Sequence, residues 1–251
     1  MIKREKLRDA RDYDTTQLRE AGHGRTLHRD YTAHFFRWSF AKRLIKPTDN
    51  VLEIGCGEDR PLSKILTGGA AASVNTYVGV DLNKLKPSNN QRLTFIGEFN
   101  FVERYKEVMK MRPEGYDIIV CLEVVEHFHS RFMPTFMKNC FACLKPGGRL
   151  ILSTPVWDRV RMAASHINEM DIPTLQAFIE KAKFKVERRY GTFMDVKWIG
   201  KAETDRCDKD AILRVRKALE EYFSNDAISN IFGPLYPDHA RNNIWIIRKP
   251  K

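Results

Sequence analysis

The sequence predicts a doubly wound α/β fold, a seven-stranded and mostly parallel sheet with helices on both faces. Three observations carry this. From about Asn50 onward, short β-branched runs alternate with helix-like segments, the signature of βα units. The loops joining the first five runs are short. Glycines and acidic residues follow those runs directly, where open α/β sheets keep their ligand crevice.

Taken in order, the predicted strands are Val51–Ile54, Tyr77–Val80, Leu93–Ile96, Asp117–Leu122, Arg149–Ser153, Lys185–Tyr190 and Ile244–Arg248. The chain reads as one domain, 1–251, in three parts: a helical N-terminal cap over 1–46, a ligand-binding core over 47–155 and a substrate-side half over 156–251. The cap contains HRDYTAHFFRWSFAKRLI, an aromatic and basic stretch that ends before Pro47 and reads as helix. A helical insertion, 195–241, separates the last two strands. In its segment DKDAILRVRKALEEYF, residues Ile212, Val215, Leu219, Tyr222 and Phe223 fall at amphipathic spacing. Pro173 opens another helix, whose Leu175, Phe178, Ile179 and Ala182 should face the core.

Composition narrows the function classes. Lys and Arg number 43 against 32 Asp and Glu, a formal charge of +11. This would suit nucleic acid or other anionic partners, but the excess is spread along the chain rather than gathered in one run, and a solvated basic surface is the plainer reading. No stretch approaches the ~20 apolar residues of a membrane span. The N-terminus lacks the apolar core of a secretory signal, so a cytoplasmic protein is expected. Five cysteines are not the arithmetic of a disulfide framework. Cys140 and Cys143 have CxxC spacing, but on a helix that spacing merely places both on one buried face.

The most informative motif is VLEIGCGED, residues 51–59, in which an apolar strand runs into Gly55-Cys56-Gly57. Glycines there let the backbone turn sharply and approach a ligand. The run is neither GxGxxG nor a Walker sequence, so a dinucleotide or triphosphate is not indicated. One βα unit later, Asp81 ends the second strand, where a carboxylate can accept from both hydroxyls of a ribose.

These residues resemble motif I of the class I S-adenosylmethionine-dependent methyltransferases, acid-x-Gly-x-Gly-x-Gly. Glu53, Gly55 and Gly57 are in place around Cys56, and Asp59 stands where the third glycine would be. Asp59 followed by Pro61 makes a good helix start. The fourth-strand run YDIIVCLEVVEHF resembles the ubiquinone-biosynthesis O-methyltransferases, and LKPGGRLILSTP resembles the family's fifth strand. The resemblance implies a Rossmann-like fold with S-adenosyl-L-methionine as cofactor. It implies that Asp81, with Leu82 beside it, holds the ribose, that Glu98, next to Phe99, lies near the adenine amino group, where capping of the strand is an equal reading, and that Leu122 packs near the sulfur. LHRDYTAHFFRW resembles the family's N-terminal element, which makes Arg37 the partner of the methionine carboxylate.

For chemistry, His127 is the candidate base, since its unperturbed pKa lies near neutrality and EVVEH places it just past a strand end. Glu123, Glu126, His127 and His166 also form a candidate set for a divalent metal. They resemble the small-RNA 3′-terminal 2′-O-methyltransferases, which use E-x-x-E-H and a later His. His129 reads as exposed, whereas His166 and Asn168 remain available to the site. The expected function is methyl transfer to a hydroxyl or amino group of a small molecule. The alternatives are a nucleic-acid methyltransferase, metal-assisted, and a non-catalytic binding subunit with the same fold.

Overall fold

The central strand β1 (Asn50–Ile54) is buried along its whole length, as its NVLEI sequence requires of a strand covered on both faces. In the computed structural model, which describes residues 31–67, 74–160 and 162–251, it lies within a seven-stranded sheet. The others are β2 (Thr76–Val80), β3 (Leu93–Ile96), β4 (Tyr116–Leu122), β5 (Leu144–Pro155), β6 (Lys185–Met194) and β7 (Ala240–Arg248). Their order is β3-β2-β1-β4-β5-β7-β6, with β7 antiparallel to both neighbours and the other pairs parallel. All seven predicted runs are strands.

Three of them exceed the predicted bounds by four residues or more. The Pro146-Gly147-Gly148 turn is a bulge within β5: Tyr116 pairs with Leu144, and Ile118 already with Arg149. Backbone bonds from Gly147 N–H to Lys249 O and from Lys249 N–H to Gly148 O, each 3.0 Å, tie the bulge to the end of the chain. β6 continues to Met194 and β7 begins at Ala240, because these residues pair with one another.

Helices cover both faces. On one, α1 (Tyr31–Leu44) and α2 (Pro61–Thr67) bring Trp38, Ala41, Leu62 and Leu66 against Val51, Tyr77, Ile151 and Ile244. On the other, α3 (Phe101–Met111), α4 (Met133–Cys143) and α5 (Ile172–Lys181) set Val108, Phe136, Met137 and Ile179 against Leu52, Ile119, Leu152 and Trp245. Asp171 caps α5 by accepting the Thr174 N–H at 3.0 Å. Leu175 and Ile179 are buried as predicted, and Phe178 and Ala182 pack on the same core. Cys140 and Cys143 are free and buried. Burial pushes the Cys143 thiol up to about 12, so neither is poised for thiolate chemistry.

A third cluster lies beyond the end of β6, where α6 (Lys209–Glu220) and α7 (Asn225–Phe232) enclose Met194, Ile212, Ile228, Phe232 and Tyr236. Here the amphipathic reading of α6 holds only in part. Ile212 is buried and Leu219 packs alongside, but Val215, Tyr222 and Phe223 are 50%, 74% and 49% exposed. The helix ends at Glu220, so the last two leave its register before reaching a partner. Residues 1–30 of the expected cap lie outside the described residues. Among the described residues no helix is long and apolar enough to cross a membrane.

Candidate methyl-transfer site

A cavity of about 310 Å³ opens at the carboxyl ends of β1, β2, β4 and β5, the edge at which doubly wound sheets bind ligands. The glycine turn forms its floor. Gly55 has φ +77°, and a Cβ placed on it would lie 2.3 Å from Cγ2 of Val124. No side chain fits there, which keeps the backbone of the turn at the cavity wall. The turn is closed by bonds from the Gly55 and Cys56 N–H groups to Val80 O, at 2.8 and 3.2 Å.

Asp81 binds the turn to β2. Its Oδ2 accepts the Gly57 N–H at 2.8 Å, and its Oδ1 accepts the Asn83 N–H at 2.9 Å and Asn83 Nδ2 at 3.0 Å. These bonds favour the ionised carboxylate, but burial outweighs them and raises the pKa. Glu53 is buried beneath, where it accepts the Tyr77 hydroxyl. Its carboxyl is held well above the usual range by burial, then by the charge of Asp81.

Of the residues expected at a cofactor, Arg37, Glu53, Gly55, Cys56, Gly57, Asp81, Leu82, Phe99 and Leu122 all line this cavity. Glu98 does not. Its backbone adopts φ +52°, and its side chain, 66% exposed, lies 4.0 Å from Lys84. Phe99 turns inward instead and is stacked on its far side by Arg104.

Arg37 enters from α1 with its side chain 3% exposed. Its Nη2 donates to His34 Nδ1 at 2.9 Å and lies 3.7 Å from Glu123 Oε2. Glu123 is itself held by Ser153 Oγ at 2.7 Å and Asn242 Nδ2 at 2.6 Å. Of the four expected metal ligands it is the one outside the group whose ligand atoms converge.

The remaining three converge. Ligand atoms of Glu126, His127 and His166 lie within 4.8 Å of one another, and the two imidazoles meet edge to face at 4.9 Å. His127 Nδ1 lies 3.2 Å from Ser165 O, and His166 Nδ1 lies 2.6 Å from Glu169 Oε1. Both partners are acceptors, so each Nδ1 is the donor, and in the neutral imidazole each Nε2 carries the lone pair. Glu126 is fully buried; its Oε2 accepts from Thr154 at 3.2 Å, and its Oε1 has no hydrogen-bond partner. Burial, then the neighbouring Glu123, drives its carboxyl well above the usual range. A buried carboxylate with an unpartnered oxygen beside two imidazole lone pairs is suited to a divalent cation, whose charge would offset the burial.

The chain matches the family described as a methyltransferase domain over residues 24–188. It belongs to that methyltransferase family. Among curated relatives, a small RNA 2′-O-methyltransferase from Rattus norvegicus is 30% identical over 138 residues, 47% of this chain and 33% of the relative. A tRNA U34 carboxymethyltransferase from Nautilia profundicola is 28% identical over 226 residues, 82% of this chain and 68% of the relative. A ubiquinone biosynthesis O-methyltransferase from Coxiella burnetii is 29% identical over 107 residues, 42% of this chain and 43% of the relative. This methyltransferase thus spans a third of the rat protein and under half of the Coxiella one. A solved S-adenosylmethionine-dependent methyltransferase from Archaeoglobus fulgidus shares the fold, with a TM-score of 0.58 at 16% identity, covering 94% of this chain and all of the other.

The cavity fits S-adenosylmethionine, the cofactor that the sequence resemblance implies. The glycine turn offers bare backbone, Asp81 a buried carboxylate and Arg37 a buried guanidinium. Sequence reasoning missed His34 and Asn242, which hold Arg37 and Glu123, and Glu169, which holds His166. His34 carried a signal, since it sits one helical turn before Arg37. Asn242 carried none, lying 119 residues from Glu123.

Proposed function

We propose that this methyltransferase acts on a hydroxyl group of a small acceptor, and that Glu126, His127 and His166 receive that hydroxyl through a divalent cation. The observation that carries the reading is the convergence of these three side chains in the cavity that takes the cofactor, with both Nε2 atoms fixed as the basic ones. On this reading Asp81 takes the ribose hydroxyls, Leu82 and Phe99 flank the adenine, Arg37 grips the methionine carboxylate and Leu122 packs against the sulfonium. When bound, the cofactor would supply an activated methyl group whose C–S bond breaks as the C–O bond forms, leaving the electron pair on sulfur, and the acceptor hydroxyl would give its proton to solvent before transfer. A cation at the three ligands would acidify that hydroxyl. The residues then do the rest, aligning acceptor and methyl group and excluding water.

Three protein ligands leave coordination positions open, which favours an acceptor presenting two adjacent oxygens, such as a catechol or other vicinal diol. Phe128, Phe132 and Pro155 line the same cavity and suit a compact organic acceptor. A terminal ribose of RNA is also a vicinal diol. That second reading is supported by the E-x-x-E-H and later-His arrangement, the +11 charge and the similarity to a small-RNA enzyme. Methyl transfer to a catechol and to a short oligoribonucleotide, measured across salt, separates them. The first reading predicts salt-insensitive turnover of the catechol. Turnover of the oligonucleotide alone, weakening steeply with salt, would replace it with the second.

A further inference from the structure

Glu169 belongs to none of the motifs read from the sequence, yet its carboxylate bonds directly to the ring of His166. It lies in the segment between β5 and α5, with its side chain only 8% exposed, and it lines the methyl-transfer cavity. Its Oε1 accepts twice: from His166 Nδ1 at 2.6 Å and from the Ala163 N–H at 3.1 Å. The segment is anchored independently. The Ile167 and Asn168 N–H groups donate to Glu126 O at 2.9 and 3.1 Å, and Asn168 Nδ2 donates to Val125 O at 3.1 Å. The backbone therefore has its own attachments, and the Glu169 carboxylate adds a hydrogen bond to the imidazole itself, at Nδ1.

We infer that Glu169 is a positioning residue: it holds His166 in the Nδ1–H tautomer, presents Nε2 to a divalent cation shared with Glu126 and His127, and thereby sets the affinity for that cation. The inference rests on the proposed function. A carboxylate behind an imidazole ligand fixes the ring and raises the basicity of the opposite nitrogen, and losing such a partner commonly weakens metal binding by about 10–100-fold. His127 differs in this respect, since its Nδ1 faces the neutral carbonyl of Ser165.

The test is titration of the metal-free protein with Mn²⁺, followed by calorimetry, for wild type, Glu169→Ala and Glu169→Gln. Each is also titrated with S-adenosylmethionine, whose site should be unaffected. Glu169→Ala is expected to bind Mn²⁺ about 10–100-fold more weakly. Glu169→Gln, which keeps an acceptor oxygen without the charge, should fall between it and wild type. A wild type that binds no Mn²⁺ overturns the cation reading and this inference with it. Wild-type Mn²⁺ binding matched by Glu169→Ala overturns this inference alone, and so does a loss in Glu169→Ala that comes with an equal loss of cofactor binding. Independently of any variant, nitrogen chemical shifts of His166 in the metal-free wild type should report the Nδ1–H tautomer. An Nε2–H tautomer would overturn the inference.

Discussion

A methyl group added at Gly55 would sit 2.3 Å from Val124 Cγ2 on a backbone already at φ +77°. Gly55→Ala should therefore cost roughly 2 kcal/mol or more, above the usual cost of a glycine replacement, because strain and overpacking add. Urea denaturation checks this. Glu53 offers a second residue-scale test through pH. Its folded-state pKa is raised above the ordinary 4.5 by burial and then by Asp81, so the folded protein holds this proton more tightly than the unfolded chain. Its contribution to stability is then fully present below the ordinary value and is lost as pH rises through the raised one. Glu53→Gln keeps the shape without the charge. Cofactor-free thermal unfolding should find it more stable than wild type at neutral and alkaline pH, with the gap closing as pH falls into the ordinary carboxylate range. A difference that does not change with pH would contradict this account. Glu98 marks a limit of reading residues from sequence. An acid just past a strand end looks like a ligand, but the turn it occupies at φ +52° aims it at solvent and Phe99 into the cavity.

At the scale of elements, strands were easier to read than helix faces. β1, β2 and β4 are rich in Val, Ile, Leu and Tyr and buried along most of their length, and such segments admit few other readings. The α6 stripe was harder. Periodicity locates an apolar face but does not say whether anything packs on it, and the chain leaves the helix at Glu220 before Tyr222 and Phe223 find a partner. The two kinds of position should separate in thermal unfolding. Ile212→Ala, 2% exposed and inside the third cluster, is expected to cost about 2–4 kcal/mol. Tyr222→Ser, 74% exposed, should change stability by less than about 0.5 kcal/mol. Equal costs would mean that Tyr222 is covered in solution.

At the scale of the whole molecule, the order of motifs made the cofactor site legible before the fold was known. The glycine turn, Asp81, Leu122 and Arg37 come from β1, β2, β4 and α1, and the sheet order β2-β1-β4 brings them to one cavity. The acceptor side was less legible because it is assembled from contacts distant in sequence. Glu126 meets Thr154 and the backbone of Ile167 and Asn168, while Glu123 turns away to Ser153 and Asn242. Four candidate ligands in sequence thus become three in space, joined by a glutamate that no motif announced. The most direct test of the resulting function is transfer of a labelled methyl group from S-adenosylmethionine to a catechol, by protein stripped of metal and then resupplied with Mn²⁺. The account predicts that stripping abolishes transfer while cofactor binding persists, that Mn²⁺ restores it, and that His166→Ala is not restored. Full-rate transfer by the stripped protein would contradict it, and would leave His127 Nε2 to take the hydroxyl proton directly.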